Sequence, residues 1–476
     1  MPDAPPAAVV VLAAGEGRRM RSATPKVLHG LAGRSMLGHV VSAARALAPE
    51  HLLVVVGHGR DTVTKALAGQ DQEATAVVQE QQLGTGHAVR TALESLPRLD
   101  GTVVVVPGDT PLLTPATLRA LVRLHEQAGA ATTLLTARVP DPTGYGRVVR
   151  DDGGAVSKVV EHKDADPDVR RIAEVATSVY AFDAAALHDA LRDLRTDNVQ
   201  GEEYLTDVVG LHRAAGRVVH AHVLEDAEEA MGVNDRVQLA AAARMLRDRI
   251  VRRHLLAGVA VLDPQTTWID IDVVLEADSA VLPGTQLHGS TVVRRGARVG
   301  PDTTLTSCEV GEDASVVRSH CTDAVIGPSA NVGPFSYLRP GTRLDAGAKV
   351  GAYVEVKNSE VGPGSKVPHL AYVGDATIGA RSNIGAGTIF VNYDGRDKHR
   401  SRVGDDVRVG SNNTLVAPVT VADGAYTAGG STITQDVPEQ ALGVGRAHQR
   451  NIHGWVARRR GLQTGPQADQ QGEQSG

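Results

Sequence analysis

The sequence predicts an α/β domain joined to an all-β one: an N-terminal Rossmann-like fold, a long linking helix and a C-terminal left-handed parallel β-helix of hexapeptide repeats. Three observations predict it. Up to about residue 265, short β-branched runs alternate with helical stretches, the pattern of a mostly parallel sheet. Beyond that point aliphatic residues recur every six positions, which neither the helix period of 3.6 nor the strand period of 2 explains. The composition suits thin repeated layers: 476 residues hold 51 Gly but only three Phe, two Trp and eight Tyr.

The elements follow in order. Residues 9–13, 52–56 and 102–106 read as buried strands, and 37–47 and 87–96 as the helices between them. Asn234 and Asp235 offer a cap for a long helix reaching about residue 256. Val237, Met245, Leu246, Ile250, Val251, Leu255 and Leu256 would form its apolar side. The period of six then begins with Ile269, Leu275, Val281, Leu287, Val293, Val299 and Leu305. It resumes from Ile326 to Val356, takes five-residue steps to Val361 and Ile378, and runs on from Val403 to Ile433. Three hexads make one triangular coil. About nine coils stacked at a strand spacing of about 4.8 Å give a prism roughly 43 Å long.

Residues 392–400 are polar and interrupt the repeat, which predicts a loop protruding from the solenoid, often on the binding face. Residues 446–460 are Arg-rich and acid-free. The Gln/Gly-rich stretch 461–476 reads as disordered. The expected organisation is therefore 1–233 as the α/β domain, 234–262 as a helical linker, 263–445 as the β-helix and 446–476 as a basic segment and tail.

Charge and composition exclude several classes. The net charge is −6, so a globally basic nucleic-acid binder is disfavoured. A 42% hydrophobic chain is not mostly disordered. Cys308 and Cys321 are too few for a disulfide framework or a four-thiolate metal site, and neither is assigned a role. The first six residues lack a basic signal-peptide region, and the apolar run 7–14 is too short to span a bilayer. The sequence therefore reads as cytoplasmic, with reduced thiols and no membrane span.

The first strand runs into Leu12-Ala13-Ala14-Gly15-Glu16-Gly17-Arg18-Arg19-Met20, followed by Pro25-Lys26. A Gly-rich turn after a buried strand lets backbone N–H groups approach phosphate oxygens, and Arg19 and Lys26 add charge. Many strand-to-helix turns carry Gly for backbone reasons alone. The whole string is more specific and resembles the signature of sugar-1-phosphate nucleotidyltransferases. Gln79 with Leu83-Gly84-Thr85-Gly86-His87-Ala88 looks like that family's uracil-reading segment. Pro107-Gly108-Asp109-Thr110-Pro111 and Gly232-Val233-Asn234-Asp235-Arg236 look like its metal-binding segments. The resemblance implies UTP and UDP-sugar contacts at Leu12, Ala13, Ala14, Gly15, Arg19, Lys26, Gln79, Gly84, Thr85, Gly146, Glu161, Ala176 and Asn234. It implies Mg²⁺ held by Asp109 and Asn234, since Mg²⁺ needs one or two protein oxygens and completes its shell with phosphates and water. A lone Gly-Asp more commonly caps a turn.

In the second half, Leu338-Arg339-Pro340-Gly341, Val354-Glu355-Val356-Lys357, His369-Leu370-Ala371-Tyr372-Val373-Gly374-Asp375, Ser382-Asn383-Ile384-Gly385-Ala386-Gly387 and Asn392-Tyr393-Asp394-Gly395 occur in order. With the first half, they resemble the bacterial bifunctional N-acetylglucosamine-1-phosphate uridylyltransferase/glucosamine-1-phosphate N-acetyltransferases over residues 8–455. That resemblance implies acetyl transfer from acetyl-CoA to glucosamine-1-phosphate, then uridylyl transfer from UTP, giving UDP-N-acetylglucosamine for peptidoglycan and other envelope polymers. It implies a homotrimer through the prism.

Attack of a sugar amine on a thioester needs a base, and the His369 imidazole titrates near neutral pH. The resemblance implies that Arg339, Lys357, Tyr372 and Asn383 hold the sugar phosphate, with Glu355 ordering the site. It implies that Ala386, Asn392, Tyr393, Ser411, Gly429 and Arg446 hold acetyl-CoA, the Ala386 N–H facing the oxyanion. The family often has Ala where Gly429 stands. The basic stretch 446–460 reads equally as a coenzyme A phosphate contact or a solvated helix.

Two other readings stay open. One is a nucleotidyltransferase whose β-helix only assembles trimers. The other is a non-catalytic assembly protein. The His369, Asn392 and Lys357 set weighs against the first, and the loop 15–26 with Asp109 and Asn234 against the second.

One departure stands out. The family usually reads Glu-x-Asn-x-Gly where this chain has Glu174-Val175-Ala176-Thr177-Ser178. Losing the Asn side chain predicts weaker binding of N-acetylglucosamine-1-phosphate, by up to about tenfold, with UTP binding near normal. The alternatives are that Ser178 supplies the missing bond or that the pocket has shifted toward another sugar phosphate.

Overall fold

A computed structural model describes residues 5–461. The expected disordered stretch lies almost wholly outside these residues. The chain forms two compact units that divide between Arg318 and Ser319.

In the first unit, the strand Ala8–Ala13 lies between two parallel neighbours, His51–Val56 and Thr102–Pro107. Thr75–Val78 extends the sheet on one side. On the other, Glu174–Asp183 runs antiparallel to both Thr102–Pro107 and Thr132–Arg138. The sheet is therefore mixed, where apolar periodicity alone predicted a mostly parallel one. Periodicity reports burial on a face, not strand direction.

Val9 and Val11 pack into one core layer, Ala8 and Val10 into the other. Burial on both faces is why this strand reads as a continuous apolar run. The helices Met36–Arg45 and Thr85–Glu94 fall close to their expected places.

Register then sets the site. Leu12 pairs with Pro107, and the Gly108 N–H donates to the Leu12 carbonyl at 2.8 Å. The glycine loop after the first strand therefore emerges beside Asp109. The Val233 N–H donates to the Asp109 carbonyl at 2.9 Å, which brings Asn234 to the same edge.

The long helix spans Arg236–Leu256, capped by Asp235, whose carboxylate accepts from the N–H groups of Val237 and Gln238 at 2.9 Å each. Its buried residues are Ala242, Leu246, Ile250, Val251 and His254. The apolar side expected from sequence is corrected at its ends, for Val237, Leu255 and Leu256 are exposed, at 78%, 42% and 76%.

After the helix come parallel two- and three-residue strands. In the first unit Ile269 pairs with Leu287, Leu275 with Val293 and Val281 with Val299, giving three faces with an 18-residue repeat. The second unit repeats the plan: Leu338 pairs with Val356 and Val356 with Val373, Val332 with Val350, and Leu344 with Val361. The aliphatic residues of the repeat are buried on all three faces. Stacked sheets of short parallel strands with a narrow aliphatic interior are consistent with a left-handed β-helix. Phe390 fills one inward position in the second unit and is fully buried.

Small hydroxyl residues close the corners. The Ser365 Oγ donates to the Gly379 carbonyl at 2.6 Å, and the Ser382 Oγ to the Gly404 carbonyl at 2.7 Å. The polar insertion forms a loop pinned at its base, where the His399 N–H donates to the Asn392 carbonyl at 2.9 Å. Cys308 and Cys321 are buried. Among the described residues, no helix is long and apolar enough to cross a membrane.

Candidate functional sites

A cavity of about 510 Å³ opens at the C-terminal ends of the parallel strands. Leu12, Ala13, Ala14, Gly15, Lys26, Gln79, Gly84, Thr85, Asp109 and Asn234 all line it. Open α/β sheets bind ligands at this end of their strands. Arg19, Gly146, Glu161 and Ala176 are outside the lining, and Arg19 is exposed on the short turn Arg18–Met20.

The centre of the cavity is Lys26. Its ammonium forms an ion pair with the Asp109 carboxylate and donates to the Asn234 Oδ1 at 2.8 Å. Three segments far apart in sequence thus bring a carboxylate oxygen and an amide oxygen to one cation-sized point. Gly17 permits this approach. Its φ is +68°, and a β-carbon there would stand 2.4 Å from the Lys26 Cβ.

At the far side, the Gln79 Nε2 donates to the Gly84 carbonyl at 3.2 Å and lies 2.8 Å from the His87 Nδ1. The Thr85 Oγ1 accepts from the Leu205 N–H at 3.0 Å. Behind the wall, a β-carbon on Gly146 would stand 3.6 Å from both Glu161 carboxylate oxygens. Burial raises the Glu161 carboxyl above its usual range, partly opposed by the hydrogen bond from Thr206. Sequence reasoning missed Tyr145 and Glu202, which also line the cavity, as do Thr177 and Ser178 of the departing segment. Tyr145 lay in the sequence as one of few aromatics, directly before Gly146. Burial raises the pKa of its hydroxyl.

The second unit holds another polar cluster. Its hub is Asp375, a buried carboxylate that sequence reasoning quoted but gave no role. Lys357 donates to Asp375 at 3.2 Å, Asn358 at 2.6 Å, and the Asn392 amide also donates to it. The same amide lies 3.4 Å from the Tyr372 hydroxyl. Burial alone would push the Asp375 carboxyl up, but the bonds from Asn358, Asn392 and Lys357 outweigh it and hold the carboxyl below its usual range.

Lys398, also missed, stands beside Lys357. The hydrogen bond and like charge of Lys357 hold its ammonium below the usual lysine range. Arg339 donates to Glu355 at 3.0 Å on the same face. Register accounts for the grouping, since Glu355 and Tyr372 are direct cross-strand partners.

His369 ends the strand Lys366–His369 at an exposed corner, and its strand neighbour is Ala352. Asn383 lies on the next strand of that face, opposite Lys366. Tyr393 is exposed, its hydroxyl donating to the Gly395 carbonyl at 2.7 Å. The Ala386 carbonyl accepts from the Asn412 N–H at 2.7 Å, and the Ser411 carbonyl from the Gly430 N–H at 2.8 Å. A β-carbon on Gly429 would meet the Ser411 carbonyl at 3.5 Å, ordinary contact, so Ala would fit there. Arg446 is exposed and makes no hydrogen bond with the described residues. The helix Trp455–Arg459 ends the described chain.

Residues 9–200 match the MobA-like NTP transferase domain family. The chain is 59% identical to the bifunctional protein GlmU of Streptomyces avermitilis, over 96% of this chain and 95% of that protein. It is 57% identical to that of Kineococcus radiotolerans, over 96% and 93%, and 54% identical to that of Mycolicibacterium vanbaalenii, over 95% and 93%. The chain belongs to the bifunctional GlmU family. It is a bifunctional enzyme of UDP-N-acetylglucosamine synthesis, pairing glucosamine-1-phosphate acetyl transfer with N-acetylglucosamine-1-phosphate uridylyl transfer. Its substrates include a nucleotide and acetyl-CoA.

Proposed function

We propose that the two reactions are divided between the two clusters: uridylyl transfer in the α/β cavity of residues 1–233, and acetyl transfer on the prism of residues 263–445. Residues 234–262 serve as linker, and 446–476 as a C-terminal segment whose basic part is 446–460. The observation that carries the reading is the Lys26 ammonium held between Asp109 and Asn234 in the cavity that Ala14 and Gly15 of the glycine turn also line.

In the first reaction, a phosphate oxygen of N-acetylglucosamine-1-phosphate attacks the α-phosphorus of UTP, and pyrophosphate leaves. The turn at Ala14 and Gly15 offers backbone N–H groups to the phosphates, and Lys26 neutralises their charge. Gln79, Gly84 and Thr85 hold the base. The donor set suits Mg²⁺, because Asp109 and Asn234 present two hard oxygens converging on one cation position. Bound Mg²⁺ would supply charge stabilisation on the phosphates.

In the second reaction, the sugar amine attacks the thioester carbonyl, His369 takes the amine proton, and the coenzyme A thiolate leaves. The Ala386 N–H faces the oxyanion. Lys357, Lys398 and Arg339 draw in the sugar phosphate. Tyr372 and Asn383 bind the sugar, while Asn392, Tyr393, Ser411, Gly429 and Arg446 hold acetyl-CoA. Asn383 and Tyr372 lie on different faces of the prism, which favours a homotrimer whose neighbouring copies complete each site. Sedimentation of the intact chain checks this, and a monomer active in acetyl transfer would contradict it. The workplace is the cytoplasm.

Separate assays of the half-reactions test the division. His369→Ala abolishes acetyl transfer and spares uridylyl transfer, and Asp109→Ala does the reverse. Loss of both activities in folded protein from either change overturns it.

A further inference from the structure

The strand Glu174–Asp183 is buried along nearly its whole length, and Ser178 is its one exposed residue. Its pairing with Thr132–Arg138 breaks between Ala176 and Tyr180, so residues 177–179 bulge out of register. Ser178 sits on that bulge with φ +62°, the left-handed region in which a β-carbon is strained. Glycine would sit there without strain.

The hydroxyl inventory of the bulge is short. Ala176 is buried and has no polar group. The Thr177 hydroxyl is committed, donating to the Leu135 carbonyl at 2.8 Å and accepting from the Val179 N–H. The Ser178 hydroxyl makes no hydrogen bond with the described residues and lines the cavity. Strain held at an exposed position on the cavity wall, with its polar group uncommitted, points to a ligand contact.

The ligand group follows from what the rest of the lining does. Gly15, Lys26, Asp109 and Asn234 gather at the charged end, and Gln79 with Gly84 at the base end. Tyr145 lies by Gly232 and Asp109 and Glu202 against Gly84, at those two ends, whereas Ser178 bonds to neither group, and the hydroxyl-rich sugar ring is the part of the ligand that they leave unmatched. We propose that Ser178 is a specificity-determining contact of the sugar phosphate, its hydroxyl hydrogen-bonding a polar group on the sugar ring in place of a side chain at 176. This rests on the reading that the cavity carries out uridylyl transfer.

The test measures KM for N-acetylglucosamine-1-phosphate and for UTP, with Tm, in the intact chain and in Ser178→Gly and Ser178→Ala. Both variants raise KM for the sugar phosphate about three- to tenfold, the loss of one hydrogen bond, and leave KM for UTP unchanged. Ser178→Gly keeps or raises Tm, because glycine relieves the left-handed backbone. A structural role would move Tm and affinity together, whereas a contact moves them apart. A sugar-phosphate KM that stays level or falls in Ser178→Gly overturns the proposal, as does an equal rise for both substrates. A wild-type chain that makes no UDP-N-acetylglucosamine overturns the function given to the cavity, which is a different result from a competent wild type indifferent to position 178.

Discussion

Asp109 and Asp375 are carboxylates with different burdens. Asp109 is partly open to the cavity and meets Lys26 and, through its backbone, Val233. Its removal leaves the fold intact and strips the oxygen opposite Lys26. Asp109→Asn keeps the shape without the charge, so uridylyl transfer falls about a hundredfold or more in the half-reaction assay while Tm barely moves. Asp375 is buried and takes three donors. Asp375→Ala orphans an ammonium and two amides, so it costs about 1.5–3 kcal/mol in chemical denaturation and also lowers acetyl transfer. A loss of acetyl transfer without loss of stability would show that Asp375 touches substrate rather than orders the cluster. Neither Asp375 nor Lys398 could be singled out by type or spacing, because each acquires its neighbours only when successive coils stack.

At the level of elements, both sites depend on how strands end. The strand Lys349–Ala352 runs beside Lys366–His369, and a β-carbon on Gly351 would lie 2.0 Å from the Pro368 carbonyl. Gly351→Ala pushes that carbonyl away and turns His369, so acetyl transfer drops more than tenfold while uridylyl transfer is unchanged. Wild-type acetyl transfer in this variant would show that the corner absorbs the shift. The long helix makes the matching case for the first unit. Asp235 caps it one residue after Asn234, and the Asn234 N–H itself donates to the Gln238 side chain at 2.7 Å. Asp235→Ala costs about 1 kcal/mol and loosens Asn234, so the Mg²⁺ concentration needed for half-maximal uridylyl transfer rises. An unshifted Mg²⁺ requirement would count against Asn234 as a ligand.

For the molecule as a whole, buried histidines set the response to acid. His125 and His254 are pushed down to about 4, chiefly by burial, and His29, His39 and His212 are lowered for the same leading reason. Each is neutral when folded, and the unfolded chain binds its proton near pH 6.5. Their stabilisation is therefore complete above pH 6.5 and is lost as pH falls toward 4. His288, raised by its hydrogen bond to Asp270, works the other way and favours the fold in that same range. Glu161 and Asp207, raised by burial, also favour the fold as pH falls, and the five lowered rings against these three groups predict a Tm that falls from pH 6.5 to 4. A level Tm across that interval in thermal unfolding would contradict the assignment of neutral buried rings.

The sequence by itself determined the period of the prism, the strand and helix order of the first unit and the residues Lys26, Asp109 and Asn234. A narrow solenoid favours aliphatic side chains at most inward positions, and a doubly covered strand an apolar run, so both leave a one-dimensional record. The tertiary structure decided what has no such record. The direction of Glu174–Asp183, the bulge that exposes Ser178, the exposed ends of the long helix and the partners of Asp375 all arise from segments paired at a distance. Pairing across such distances depends on strand direction and register, and neither composition nor spacing encodes these locally.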